Sequence, residues 1–147
     1  MKKTLVVLAG VCVFCVASIS FAVEGNDDEL FGVWDIETAE VNGDSIDRFD
    51  GATLTLGKTL AIMVSYFSSG RIDVDENPYE VDTSVSPKRL TLYQREQRED
   101  GIQCSVYEVK DGRLTICMRR PSAEKKYPQS IDEANCLVLT LKRREKE

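Results

Sequence analysis

The chain has 147 residues, 25 of them acidic and 19 basic, with no histidine and a formal charge of −6. That length fits one domain built on one core. The charge repels polyanions and argues against nucleic acid or an anionic membrane surface as a partner. The missing histidine removes Ser-His-Asp triads, Cys-His pairs and every histidine metal site.

The chain opens Met1-Lys2-Lys3-Thr4, followed by an apolar run from Leu5 to Ala17 and small residues at Ser20 and Ala22. A basic start, a short apolar stretch and small residues before a cut describe a secretory signal over 1–22. The apolar run of 13 residues is shorter than the roughly 20 that a membrane span requires. No span is therefore expected after cleavage. Val11 and Phe14 precede Cys12 and Cys15, where bacterial lipid attachment wants a small residue, so lipidation is not expected. Cleavage after Ala22 removes Lys2 and Lys3, leaving 125 residues and a formal charge of −8. The expected location is extracytoplasmic, either periplasmic or secreted.

Residues 23–29 are polar and are expected to be loose. The folded domain is expected over 30–144. Its short apolar alternations, broken by turn signals, predict an all-β fold. Strands are predicted at Phe31–Val41, Ala52–Gly57, Thr59–Phe67, Arg71–Asp75, Tyr79–Thr83, Arg89–Arg95, Gln103–Lys110, Arg113–Arg119 and Asn135–Arg143. Turns are predicted at Asn42-Gly43, Ser69-Gly70, Asn77-Pro78, Ser86-Pro87, Asp100-Gly101 and Asp111-Gly112. Asp111-Gly112 is the sharpest, because both residues tolerate the positive φ of a tight hairpin. Ser130–Ala134 has room for one helical turn.

Alternation assigns faces. Trp34, Ile36 and Thr38 share one side of the first strand. Ile72 and Val74 alternate with Arg71, Asp73 and Asp75. Leu114, Ile116 and Met118 share a side, as do Leu137, Leu139 and Leu141, which lead to Arg143. Thr59–Phe67 is apolar on both sides, with Leu60, Ile62, Val64 and Tyr66 against Ala61, Met63 and Phe67. That strand is expected either to be covered twice or to leave an apolar patch. One apolar face per strand suits a sandwich or a closed barrel, and closure removes exposed edges.

Five blocks carry a resemblance. They are Leu30-Phe31-Gly32-Val33-Trp34, Val41-Asn42-Gly43, the run from Tyr107 to Cys117, Arg120-Pro121, and the run from Leu137 to Arg143. In this order they resemble the small lipocalin-like domain expanded in planctomycete genomes, within the lipocalin superfamily. The likeness spans nearly the whole mature chain and departs after Pro121. There the family continues with an aromatic residue and glycines, whereas this chain has Ser122 to Pro128. The resemblance implies a single small up-and-down antiparallel barrel, lipocalin-like, of about eight to nine strands. It implies no activity. In such a barrel the first and last strands pair, which places Trp34 beside Arg143 as a structural pair at one end. The stretch Val41–Asp50 then lies at the opposite mouth, with Ile46 and Phe49 as its apolar residues.

Catalytic residues, a metal site and a cofactor are not expected. Asp73-Val74-Asp75-Glu76-Asn77 begins like a calcium loop, but Pro78 stands where glycine belongs and Ser84 where the closing Glu belongs. Cys104, Cys117 and Cys136 remain after cleavage, an odd number that leaves at least one thiol free or paired between molecules. With a turn at Asp111-Gly112, Cys104 and Cys117 are diagonal neighbours, and a two-residue slip would place them opposite; Cys136 could instead meet Cys117. The function expected is a binding module for a small hydrophobic ligand inside the barrel. Its candidate contacts are Trp34, Ile36, Phe49, Ile62, Tyr66, Tyr107 and Ile116. The alternative is a structural or protein-interaction module of the cell envelope, motivated by an outer apolar face around Ala61, Met63 and Phe67.

Overall fold

The computed structural model describes residues 27–94 and 101–145. The segment 1–22 read from the sequence as a secretory signal, most of the polar stretch that follows it, the Arg95 end of one predicted strand and the Asp100 half of one predicted turn lie outside them. The chain forms a closed antiparallel barrel of eight strands plus one short extra strand. In chain order the strands are β1 (Gly32–Val41), β2 (Asp44–Ser45), β3 (Thr53–Leu56), β4 (Leu60–Tyr66), β5 (Ile72–Asp82), β6 (Lys88–Tyr93), β7 (Ile102–Lys110), β8 (Arg113–Met118) and β9 (Leu137–Arg143). Neighbours in sequence pair around the wall, and β1 closes on β9 from Trp34 opposite Arg143 to Val41 opposite Leu137. The extra strand β2 folds back on the end of β1 through Asn42 and Gly43, both at positive φ. Asp111 and Gly112 likewise adopt positive φ and join β7 to β8. A single 3-10 turn, Asp47–Phe49, follows β2.

One register runs round the barrel. Leu54 on β3 faces Trp34 on one side and Met63 on the other, so all three point inward. Leu90, Tyr107, Leu114, Ile116, Leu139 and Leu141 join them, each buried to within 1% of full cover. At roughly 25 cal/mol per Å2 of apolar surface, this inner layer is the main force holding the barrel closed.

Three face assignments change. First, β1 carries a bulge: Ile36 pairs Leu141, yet Thr38 pairs Thr140, so Glu37 is the extra residue. The alternation resets there, leaving Thr38 exposed and turning Ala39 inward. Second, β4 presents Ala61 and Met63 to the interior, opposite Leu56 and Leu54. Leu60, Ile62, Val64 and Tyr66 therefore face out. Third, Ile72 and Val74 pair with Tyr66 and Val64, so they also face out, while Asp73 and Asp75 face in.

The two strands predicted on either side of Asn77-Pro78 are one strand, β5. Residues 72–78 pair only with β4, and residues 79–82 pair with β6. Pro78 sits where one ladder ends and the other begins. Its missing N–H is tolerated because no described β6 residue faces it. Ser130–Ala134 forms turns rather than a helical turn. Double cover falls on β7, where Cys104, Ser105, Val106 and Tyr107 are all buried.

Candidate functional site

The two ends of the barrel differ. At one end the segment before β1 folds in as a plug. Leu30 is fully buried and its amide donates to the Asp27 carbonyl at 2.9 Å. Trp34 is fully buried, and its indole N–H donates to the Leu30 carbonyl at 3.0 Å. The Arg143 guanidinium lies 4.3 Å from the centre of the indole ring. It also donates to the carbonyls of Phe31, at 2.6 Å, and Glu29. A cation over an aromatic face contributes about 0.5–2 kcal/mol. The two hydrogen bonds fix the guanidinium in that place.

Asp27 completes the plug. Its carboxylate accepts from the Lys88 ammonium at 2.7 Å and from the Tyr107 hydroxyl at 3.0 Å. Burial pushes the Asp27 carboxyl up, but the hydrogen bonds from Lys88 and Tyr107, with the Lys88 charge, outweigh it and hold the group below its ordinary 3.8. Burial, with Asp27 alongside, pushes the Tyr107 phenol strongly upward, so it stays a donor at neutral pH.

The other end opens into a cavity of about 670 Å3. Its wall is apolar: Met63, Leu90, Leu92, Ile116, Met118 and Leu139 line it. Asp75, Asn77, Gln94 and Gln103 bring polar groups to the side away from Trp34. The 3-10 turn hangs over this end, with Phe49 and Arg48 both lining the space and the Arg48 guanidinium 4.7 Å from the Phe49 ring centre. Ile46 and Phe49 pack against the main core, and the Ile46 amide bonds to the Ala39 carbonyl at 2.8 Å.

Of the seven candidate contacts, Phe49 and Ile116 line the cavity. Trp34 and Tyr107 are walled into the plugged end. Ile36 packs on the core beside Leu141. Ile62 and Tyr66 lie on the outer face because the β4 register follows β3, and Tyr66 is half exposed. Residues outside the candidate contacts, above all Leu90, Leu92, Met118 and Leu139, form the wall. Alternation grouped Met118 with Ile116 and Leu139 with Leu141, but nothing in it told a filled half of the barrel from an empty one.

No family model matches the chain, and neither does any curated protein or solved structure. The site therefore stands on its own geometry. It is a pocket with an apolar floor, a polar rim and one plugged end.

Proposed function

We propose that this protein is an extracytoplasmic, lipocalin-like binding module that holds a small, mainly apolar molecule in its barrel. The observation that carries the reading is the cavity of about 670 Å3 with its aliphatic and thioether wall. That volume falls in the range typical of small-molecule pockets, roughly 300–1,000 Å3. Removing about 300 Å2 of apolar ligand surface from water favours binding by roughly 7 kcal/mol before the cost of immobilisation. The ligand's polar end is placed at the rim, where Asp75, Asn77, Gln94 and Gln103 offer both donors and acceptors. The apparent signal segment supports the location, and the five sequence blocks support the lipocalin-like kinship.

Native mass spectrometry of the protein isolated from its source tests the reading. The expected spectrum shows a bound molecule of a few hundred daltons, an order of magnitude set by the cavity, lost on transfer to organic solvent. A bare chain that also takes up no apolar compound from a lipid extract contradicts it.

A second reading is an interaction module of the envelope. Tyr66, Ile72 and Val74 favour it, being 50%, 58% and 56% exposed side by side on the outside of β4 and β5. This strip replaces the outer face expected around Ala61 and Met63, which point into the barrel.

A further inference from the structure

Outside the barrel a second, smaller apolar cluster forms where the 119–136 connection folds back over the wall. Val106 and Cys117 point outward from β7 and β8, and Tyr127 and Ile131 of the connection cover them. Cys117 and Cys136 are both buried in this cluster, at 0% and 3% exposure. They lie close enough that each shifts the other's proton affinity. The connection is held against the wall at several points. The Tyr127 hydroxyl meets the Thr91 hydroxyl at 2.6 Å, Arg89 lies 4.6 Å from the Tyr127 ring centre, and Glu133 pairs with Arg119.

We propose that Cys117 and Cys136 form a disulfide that staples the 119–136 connection to β8, and that Cys104 stays a free thiol. The register counts against Cys104 and does not by itself select Cys136, since Cys117 is opposite Val138 and Cys136 also lies two residues off. Val106 is opposite Cys117, and the Arg119 amide bonds to the Cys104 carbonyl at 3.0 Å. Cys104 and Cys117 are thus diagonal neighbours in a regular ladder, about 7–8 Å apart and beyond easy bridging. Cys136 is not bound by that ladder. The strand β9 begins only at Leu137, and Asn135 turns the chain at a φ of 61°. The turn takes Cys136 out of strand geometry and into the cluster with Cys117.

The oxidant is a disulfide of the glutathione class. One protein thiolate attacks its S–S bond, giving a mixed disulfide and releasing one thiolate. The second protein thiolate attacks the cysteine sulfur of that mixed disulfide and expels the other. Two protein S–H bonds are lost and one S–S bond forms; the oxidant takes up two electrons and two protons and leaves as two thiols. Burial pushes the Cys117 thiol up to about 12 and raises Cys136 as well. Both shifts disfavour the thiolate in the closed cluster, so the bridge is expected to form while the chain folds. The pairing itself rests on geometry; only the presence of an oxidant in the cell rests on the extracytoplasmic reading.

The chain from Val23, which lacks Cys12 and Cys15, is refolded in a glutathione redox buffer, then unfolded without reductant, alkylated and digested. Peptide mass mapping is expected to show Cys117 linked to Cys136 and Cys104 alkylated. Cys104→Ser keeps the link, whereas Cys136→Ser abolishes it and leaves Cys117 alkylated. Reducing the linked protein lowers Tm by roughly 10 °C, from the size of the closed loop. Alkylation of both Cys117 and Cys136 after refolding, or a link that includes Cys104, overturns the proposal. A link formed on refolding but missing from protein isolated from its source upholds the pairing and instead contradicts the extracytoplasmic location.

Discussion

Two residues of the plugged end show how tightly local chemistry is set there. Gly32 has a φ of 140°, and a Cβ at that position would stand 2.9 Å from the Arg143 guanidinium. The glycine two residues before Trp34 is thus required twice, by backbone conformation and by the cation that must reach past it to the Phe31 and Glu29 carbonyls. Asp27 sets a pH dependence. Its folded pKa lies below the ordinary 3.8, so its stabilising effect is complete above that value and is lost as pH falls through the lower folded value. Acid unfolding followed by circular dichroism is expected to show this loss below about pH 4. Asp27→Asn flattens the profile in that window and lowers stability at neutral pH by about 1–3 kcal/mol, since Lys88 loses its charged partner. An unchanged acid limb in the variant would remove Asp27 from the plug.

At the scale of elements, the sequence made most of the wall legible. Period-two alternation and the Asp111-Gly112 turn placed β8 and β9, because those strands run without interruption on one inward apolar face; β7 is instead buried on both faces. Three features were hidden for definite reasons. The Glu37 bulge shifts the phase of β1, and a bulge leaves no mark on composition. Asn77-Pro78 carries turn chemistry, yet it lies at the handover between two ladders where a proline is tolerated. The hairpin β4–β5 is apolar outside and acidic inside at its tip, so the hydrophobic pattern pointed the wrong way and only the partners Leu54 and Leu56 fix it. The site suffered from the same inversion, which moved Ile62 and Tyr66 off the wall. This assignment has a sharp test. Ile72→Thr and Val74→Thr are expected to change stability by no more than about 0.5 kcal/mol in urea unfolding. Leu114→Ala, on the opposite surface of the wall, costs about 2–5 kcal/mol. A cost above about 2 kcal/mol for either threonine variant would mean that the hairpin is turned the other way.

The whole molecule is a barrel with unequal ends. Closure of β1 on β9 fixes the ring, the segment from Asp27 to Leu30 stoppers one end, and the 3-10 turn hangs over the other. Large side chains fill the half near Trp34. Leucines and methionines line the half near Phe49 and leave room between them. An outer flap, residues 119–136, covers β7 and β8 and gives the wall a second apolar layer that a simple barrel lacks. This division of labour assigns stability to the plugged half and, under the proposed function, binding to the open half. Fluorescence titration with an apolar, environment-sensitive probe compares wild type with Leu92→Trp, which places an indole in the open half. Wild type is expected to bind one probe saturably, and the variant to bind at least about tenfold more weakly with its fold intact, a loss of about 1.4 kcal/mol. Equal binding by the two proteins, or none by the wild type, would contradict a ligand-sized space inside this barrel.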